Sequence, residues 1–319
     1  MSHEFETGFF YDEPAWHGLG KTLKEPATAA VALKQAGLDW PVDKREGFVK
    51  TAPDKYIQVP DVFHTVRRTD NQILGTVGKL YTPLQNADAF AFFDSIVDRK
   101  EAIYHTAGSL RGGRRVWILA QLPSDIKLGG KDFVNKYLLL TNSHDGSSQV
   151  EAGVTPIRVV CMNTLSMALS NLQARHRIKH TISMDDRLKE AAKVMGFARE
   201  TYDALGDLYL RMTKVSVVDK KKLKGYLDAV FPIYTGSDEK KANYEKNLKE
   251  KQVNRVAQLM ETGKGAQLPT AKGTLWGAYN AVVELYDYGQ RSKNRLENVW
   301  YGGGARAKEL ALSAAVKLL

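Results

Sequence analysis

Between Lys136 and Leu172 (KYLLLTNSHDGSSQVEAGVTPIRVVCMNTLSMALSNL) the hydrophobic period changes from two to that of a helix, which restricts the chain to folds that join sheet to helix. Ile157, Val159 and Cys161 fall on one face of a strand, and Arg158 and Val160 on the other. From Leu165 the apolar spacing becomes Leu165, Ala168, Leu169, Leu172, which is helical, and Asn163 stands where its side chain can cap the first turn. The segment reads as strand, loop, strand, helix. A sheet edge that delivers Arg158 beside a capped helix start suits a phosphate. The same arrangement serves any α+β domain that turns a corner.

The flanking sequence extends this division into an α+β fold with two parts. Residues 1–182 read as an α+β core domain of hairpins packed with helices, and residues 183–319 as a helical region. In the first part the spacing predicts a helix over Ala27–Gly37 and another over about Asn86–Val97, with a stripe of Ala87, Phe90, Phe93 and Val97. Strands are expected at Tyr56–Val59, Phe63–Arg68 and Gln72–Val77, the last two joined by a Thr69-Asp70-Asn71 turn. Ala102–Leu110 and Arg114–Leu122 form a second hairpin about Gly112-Gly113. In the second part helices are expected over Asp185–Thr213, Lys220–Val230, Glu239–Glu261, Thr274–Tyr288 and Ala305–Leu318. Thr274–Tyr288 is apolar enough to be buried, whereas Ser237–Lys251 is so polar that it is exposed or folds on contact with a partner.

Charge narrows the partners. The 319 residues carry a net charge of +10, with 22 basic against 19 acidic residues up to Ile182 and 24 against 17 after it. An excess of this size attracts polyanions, of which nucleic acid is the commonest in a cytosol. No run approaches the roughly 18 apolar residues of a membrane span. The first twenty residues are acidic and aromatic where a secretory signal is basic and then apolar, so the expectation is a cytoplasmic protein away from membranes. The single cysteine, Cys161, excludes an internal disulfide and reads as a small core residue.

The sharpest local feature is AGSLRGGRRVWILAQL, in which Arg111, Arg114 and Arg115 surround a two-glycine turn and Trp117 follows. Guanidinium forks suit phosphate oxygens and an aromatic ring suits a base, which together describe an element for single strands. A solvated turn above a buried Trp117 is the alternative. A second basic run, Arg175 to His180, falls at the end of the helix expected after Asn163, where the dipole alone favours cations. His176 and His180 have the spacing of a metal pair, but Arg-Ile-Lys lies between them with no carboxylate, so no metal is expected. Lys220-Lys221-Lys222 with Lys224 reads as a solvated helix start. Gly302-Gly303-Gly304 ahead of Arg306 and Lys308 resembles a phosphate cradle without the P-loop ending. Trp16-His17-Gly18-Leu19-Gly20 sets a histidine beside flexible backbone with no orienting partner, and no catalytic residue is assigned.

Several blocks together resemble a family of phage- and plasmid-borne proteins of unknown function: PAWHGLG at Pro14–Gly20, AGSLRGGRRVW at Ala107–Trp117, TPIRVVCMNTL at Thr155–Leu165, LWGAYNAV at Leu275–Val282, and WYGGGARAKELAL near the end. The likeness covers nearly the whole chain and implies a home on bacterial mobile elements. More distantly, the order of elements resembles the single-strand annealing recombinases of phages, the RecT and Red-beta group, and implies an oligomeric groove for DNA. The expectation is a non-enzymatic protein without cofactor that binds single-stranded DNA or another nucleic acid as a homo-oligomer and promotes annealing. Arg111, Arg114, Arg115, Arg158, Arg175 and Arg177 are the expected phosphate contacts, and Trp117 and Tyr104 the stacking residues. Two other classes stay open: an interaction protein whose positive charge meets an acidic host factor, and an enzyme on nucleic acid with His17 or His105 as base.

Overall fold

Two turns with left-handed residues organise the N-terminal strands, one at Asn71 (φ 57°) and one at Arg111 to Gly113. The computed structural model describes residues 5–11, 20–97, 102–148, 150–158, 160, 163–164, 175–177, 184–232, 239–289, 298 and 302–319. The elements are, in order, β1 (Phe5–Tyr11), β2 (Lys21–Leu23), α1 (Ala29–Gln35), β3 (Val42–Ala52), β4 (Lys55–Arg67), β5 (Gln72–Gly78), α2 (Asn86–Val97), β6 (Ile103–Leu110), β7 (Arg115–Gln121), β8 (Ile126–Gly129), β9 (Asp132–Ser143), β10 (Glu151–Arg158), β11 (Asn163–Thr164), β12 (Arg175–Arg177), α3 (Met184–Lys214), α4 (Lys220–Val230), α5 (Glu239–Thr262), α6 (Leu275–Tyr288) and α7 (Gly303–Val316). The fold is α+β. Among the described residues, nine strands form one sheet along the order β11-β10-β9-β7-β6-β1-β2, with β12 on β10 and β8 on β9, and β3-β4-β5 form a second.

The chain divides into two compact units, one of residues 1–123, 137–153 and 175–198, the other of residues 124–136, 154–174 and 199–319. In the first, β6 and β7 pair from Ile103↔Gln121 to Leu110↔Arg115, and β7 pairs with β9. Val116, Ile118, Leu119, Leu138 and Leu140 are buried on both faces of these strands, which accounts for their unbroken apolar run. Phe90, Phe93 and Ile96 are the buried stripe of α2, with Ala89 in place of the expected Ala87. The Tyr104 hydroxyl donates to the Phe90 carbonyl at 2.8 Å and so ties β6 to α2.

In the second unit α6 is the buried helix, packed with α5 and α7. Thr274 caps it, its hydroxyl accepting from the Gly277 amide at 3.2 Å. Tyr209 of α3 lies 4.8 Å from the ring of Trp276. Lys308 of α7 is buried and donates to Asp287 at 3.0 Å. Burial pushes the Lys308 ammonium down from its ordinary range, and the Asp287 charge works in the other direction.

Two expectations are corrected. Asn163 does not start a helix, because Asn163 and Thr164 are extended and pair with Arg158 and Ile157. Arg175 to Arg177 do not end one either, because they pair with Glu151 to Gly153. A strand edge offers unsatisfied N–H and C=O groups, and the returning chain meets them with ladder bonds that no local period reveals. The interior of the expected helix, and with it Cys161, lies outside the described residues. The other correction is β3, absent from the sequence reading: it runs beside β4, which is one 13-residue strand where two short ones were expected.

Candidate nucleic-acid interface

The β6–β7 turn is built from Arg111, Gly112, Gly113 and Arg114, closed by the Leu110↔Arg115 pair. Arg111, Gly112 and Gly113 take φ of 55°, 64° and 85° in succession. A Cβ at Gly113 would also crowd the platform, 3.2 Å from both Arg67 Nη1 and Trp40 Cζ2, so that a side chain must shift slightly. At Gly112 a Cβ would meet Gln72 Nε2 at 2.6 Å. The turn therefore lies with its backbone against Trp40, Arg67 and Gln72 instead of standing clear in solvent. The His144 amide donates to the Arg114 carbonyl at 2.8 Å and fixes the other side. Arg111 and Arg114 remain exposed, and Arg115 is half-buried.

The platform beneath the turn is polar, and among the described residues most of its groups are paired, the exception being the buried His144 Nδ1. Arg67 is buried, donates through Nη1 to Glu6 at 2.8 Å, through Nε to Asp70 at 3.0 Å and through Nη2 to Gln72, and places its guanidinium 5.2 Å from the Trp40 ring. Burial opposes the Arg67 charge, but the bonds to Asp70 and Glu6 outweigh it and raise its pKa. His144 is fully buried, with its ring 5.3 Å from Trp40. Burial pushes the imidazole down to about 4, so it is neutral near pH 7 and donates from Nε2 to Asn86 Oδ1 at 2.9 Å. Asp145 sits in the same loop. Burial would raise its carboxyl, but hydrogen bonds from Ser147 and Ser143 and the charge of Arg115 hold it below the usual range. Part of the Arg115 field is thus used within the unit.

The other expected site residues are dispersed. Trp117 and Tyr104 are each about 1% exposed, so neither presents a ring face to a base. Arg158, at 1%, is buried in the second unit. Its Nε and Nη2 donate to the two Asp132 oxygens at 2.7 Å each, Nη2 also reaches the Gly265 carbonyl at 3.3 Å, and the guanidinium lies 5.3 Å from the Trp276 ring. Asp132 accepts further bonds from Thr270 Oγ1 at 2.5 Å and Trp276 Nε1 at 3.0 Å. Arg158 is therefore a structural ion pair and not a phosphate contact, because a guanidinium bonded to both carboxylate oxygens in the core has no route to a ligand. Arg175 and Arg177 lie in β12. His105 is half-buried with its ring 4.9 Å from Tyr137, while His17 lies outside the described residues.

The remaining basic features have local explanations. Lys220 to Lys222 open α4, where Asp219 accepts from the Lys221 amide at 2.8 Å. Gly302 to Gly304, at the start of α7, do not hold a free cradle, since the Gly304 amide donates to Asn298 Oδ1 at 3.1 Å and Lys308 is engaged with Asp287. Among the described residues, no three His, Cys, Asp or Glu side chains gather as a metal ion would need, and no helix is long and apolar enough to cross a membrane.

One surface escaped the sequence reading. β3 and β4 pair from Val42↔Arg67 to Ala52↔Lys55, whereas the pairing of β4 with β5 ends at Val62↔Gly78, so the far end is a two-stranded ribbon. Phe48, Val49, Tyr56 and Ile57 on it are all more than half exposed. Phe48 and Lys50 share a face with their partners Gln58 and Tyr56, and the Lys50 ammonium lies 5.8 Å from the Tyr56 ring. Val49 and Ile57 oppose each other on the reverse face. Tyr56 and Ile57 fall in the strand expected over Tyr56–Val59, whereas Phe48-Val49-Lys50 sits in a charged stretch with no apolar period, which resembles loop.

The fold and this surface define an α+β protein that carries an arginine-bearing turn and an aromatic ribbon in one unit. The chain belongs to the family described as a domain of unknown function, DUF932, whose model matches residues 73–316. β3 and β4 both precede the matched span. No curated protein and no solved structure matches the chain.

Proposed function

We propose that this protein binds single-stranded nucleic acid through its first unit. Arg111, Arg114 and Arg115 contact phosphates, and Phe48 and Tyr56 of the β3–β4 ribbon take the stacking role first expected of Trp117 and Tyr104. The observation that carries this reading is the exposed aromatic–lysine face of the ribbon, in the same unit as the exposed Arg111 and Arg114. Stacking on aromatic faces is tolerant of sequence and contributes roughly 1–3 kcal/mol per base, and guanidinium groups supply the backbone contacts. Arg175 and Arg177 are further cations of that unit. The finer reading is a cofactor-free, homo-oligomeric protein of a phage or plasmid that works on DNA in the bacterial cytoplasm and promotes annealing.

Fluorescence anisotropy with a labelled oligonucleotide tests the binding. Affinity is expected to fall as salt rises, with a log–log slope of roughly 0.7 per neutralised phosphate. The pair Arg111→Glu and Arg114→Glu lowers both affinity and slope, and Phe48→Ala with Tyr56→Ala lowers affinity with the slope kept. Unchanged binding in both variants overturns the site. Light scattering with and without the oligonucleotide checks assembly: a monomer in both conditions removes the annealing reading.

A further inference from the structure

The second unit carries a different kind of surface. α4 and α5 present facing stripes, Lys220, Leu223, Lys224, Leu227 and Asp228 on one helix and Lys246, Lys249, Glu250, Val253 and Ala257 on the other, around an open groove of about 810 Å³. The spacing within each stripe follows the helical period, so the groove runs along both helices. Leu223, Leu227, Val253 and Ala257 form an apolar floor. Lys249 bonds to Asp228 at 2.6 Å, a strut between the helices. Asp228 also faces the charge of Lys224, but the lining sets the four lysines Lys220, Lys224, Lys246 and Lys249 against only Asp228 and Glu250, which leaves the rim positive.

We propose that this groove docks a short acidic amphipathic helix of a partner polypeptide. At 1.5 Å rise per residue, the lining stripes are roughly 12 to 17 Å long, which accommodates two to three turns of a third helix. A helix laid in such a groove fills it with apolar residues at i, i+3 or i+4, and i+7, as in other helix-in-groove recognition. The lysines on the rim select carboxylates on the flanks of that helix and disfavour a basic one. One side of α5 buries Val256 and Leu259, while Val253 on the groove side is only part-buried, so an occupant would add apolar contact there. The inference does not depend on nucleic-acid binding, which is assigned to the other unit.

The test uses the full chain and two labelled synthetic peptides of about 12 residues with the same leucine stripe, one flanked by glutamates and one by lysines. The glutamate peptide is expected to bind, weaken at least tenfold with Lys224→Glu plus Lys246→Glu, and weaken similarly with Val253→Asp, while the lysine peptide does not bind. Circular dichroism of the variants separates lost docking from lost folding, and a folded variant that binds undiminished overturns the proposal. So does equal binding of both peptides, or failure of the glutamate peptide to bind. Binding lost only in the Arg111→Glu, Arg114→Glu variant would mark the peptide as a polyanion on the other surface and would also overturn it. Self-association that Lys224→Glu plus Lys246→Glu abolishes would assign the groove to a second copy instead.

Discussion

Arg114 and Arg158 look alike in the sequence, each a basic residue beside a turn in a strand-rich segment, yet they occupy opposite environments. Arg114 is exposed on a turn held by its backbone. Arg158 is buried and bonded to both oxygens of Asp132, with Trp276 and Thr270 completing the carboxylate's partners. The difference teaches that a cation's role follows from whether the fold brings it a carboxylate. The first arginine is available to a ligand, and the second organises a core.

The largest expected effect breaks that pairing. Asp132→Ala leaves a buried guanidinium uncompensated and is expected to lower unfolding free energy by about 3–5 kcal/mol in a urea titration. Arg114→Ala should stay within about 0.5 kcal/mol. If the two variants lose equal stability, the contrast is wrong.

Next comes the histidine beneath the arginine turn. With His144 held at about 4 when folded, against 6.5 for an ordinary imidazole, the unfolded chain binds a proton that the folded chain refuses between these values. Stability therefore falls as pH drops from about 6.5 to 4 and this contribution is flat below, for a total on the order of 3 kcal/mol. His144→Asn should flatten that part of the profile measured by thermal or urea unfolding. An unchanged slope would show that another group titrates there.

A smaller effect sharpens the description of the turn. Gly113→Ala must place a Cβ at φ 85° against Trp40 and Arg67, and is expected to cost about 1–3 kcal/mol. The change should also weaken oligonucleotide binding if the turn positions Arg114. Normal stability with normal binding would mean that the platform yields easily. The smallest effect on stability is expected from Phe48→Ala with Tyr56→Ala, within about 0.5 kcal/mol for exposed side chains, because the contact proposed for them is with a ligand.

Much of the secondary structure was legible. The helices α2, α4, α5 and α6 fall within a residue or so of the expected spans, and both expected hairpin turns form. These depend on periods and turn residues within a few positions of each other. The arginine turn was visible for the same reason. Its seat on Trp40, Arg67 and Gln72 was not, nor was β3, whose charged alternation carries no apolar face.

The amino-acid sequence by itself determined an α+β chain with a helical C-terminal half, a basic excess and a two-glycine turn flanked by arginines. Only the tertiary structure decided that Trp117, Tyr104 and Arg158 are core residues, that Asn163 and Arg175 lie in strands, and that Phe48 and Tyr56 stand exposed. The physical reason is range. A helix turn or a β-turn is settled among near neighbours, whereas strand pairing and charge burial depend on partners far along the chain. Asp132 lies 26 residues from Arg158 and 144 from Trp276, and no local pattern records that they meet.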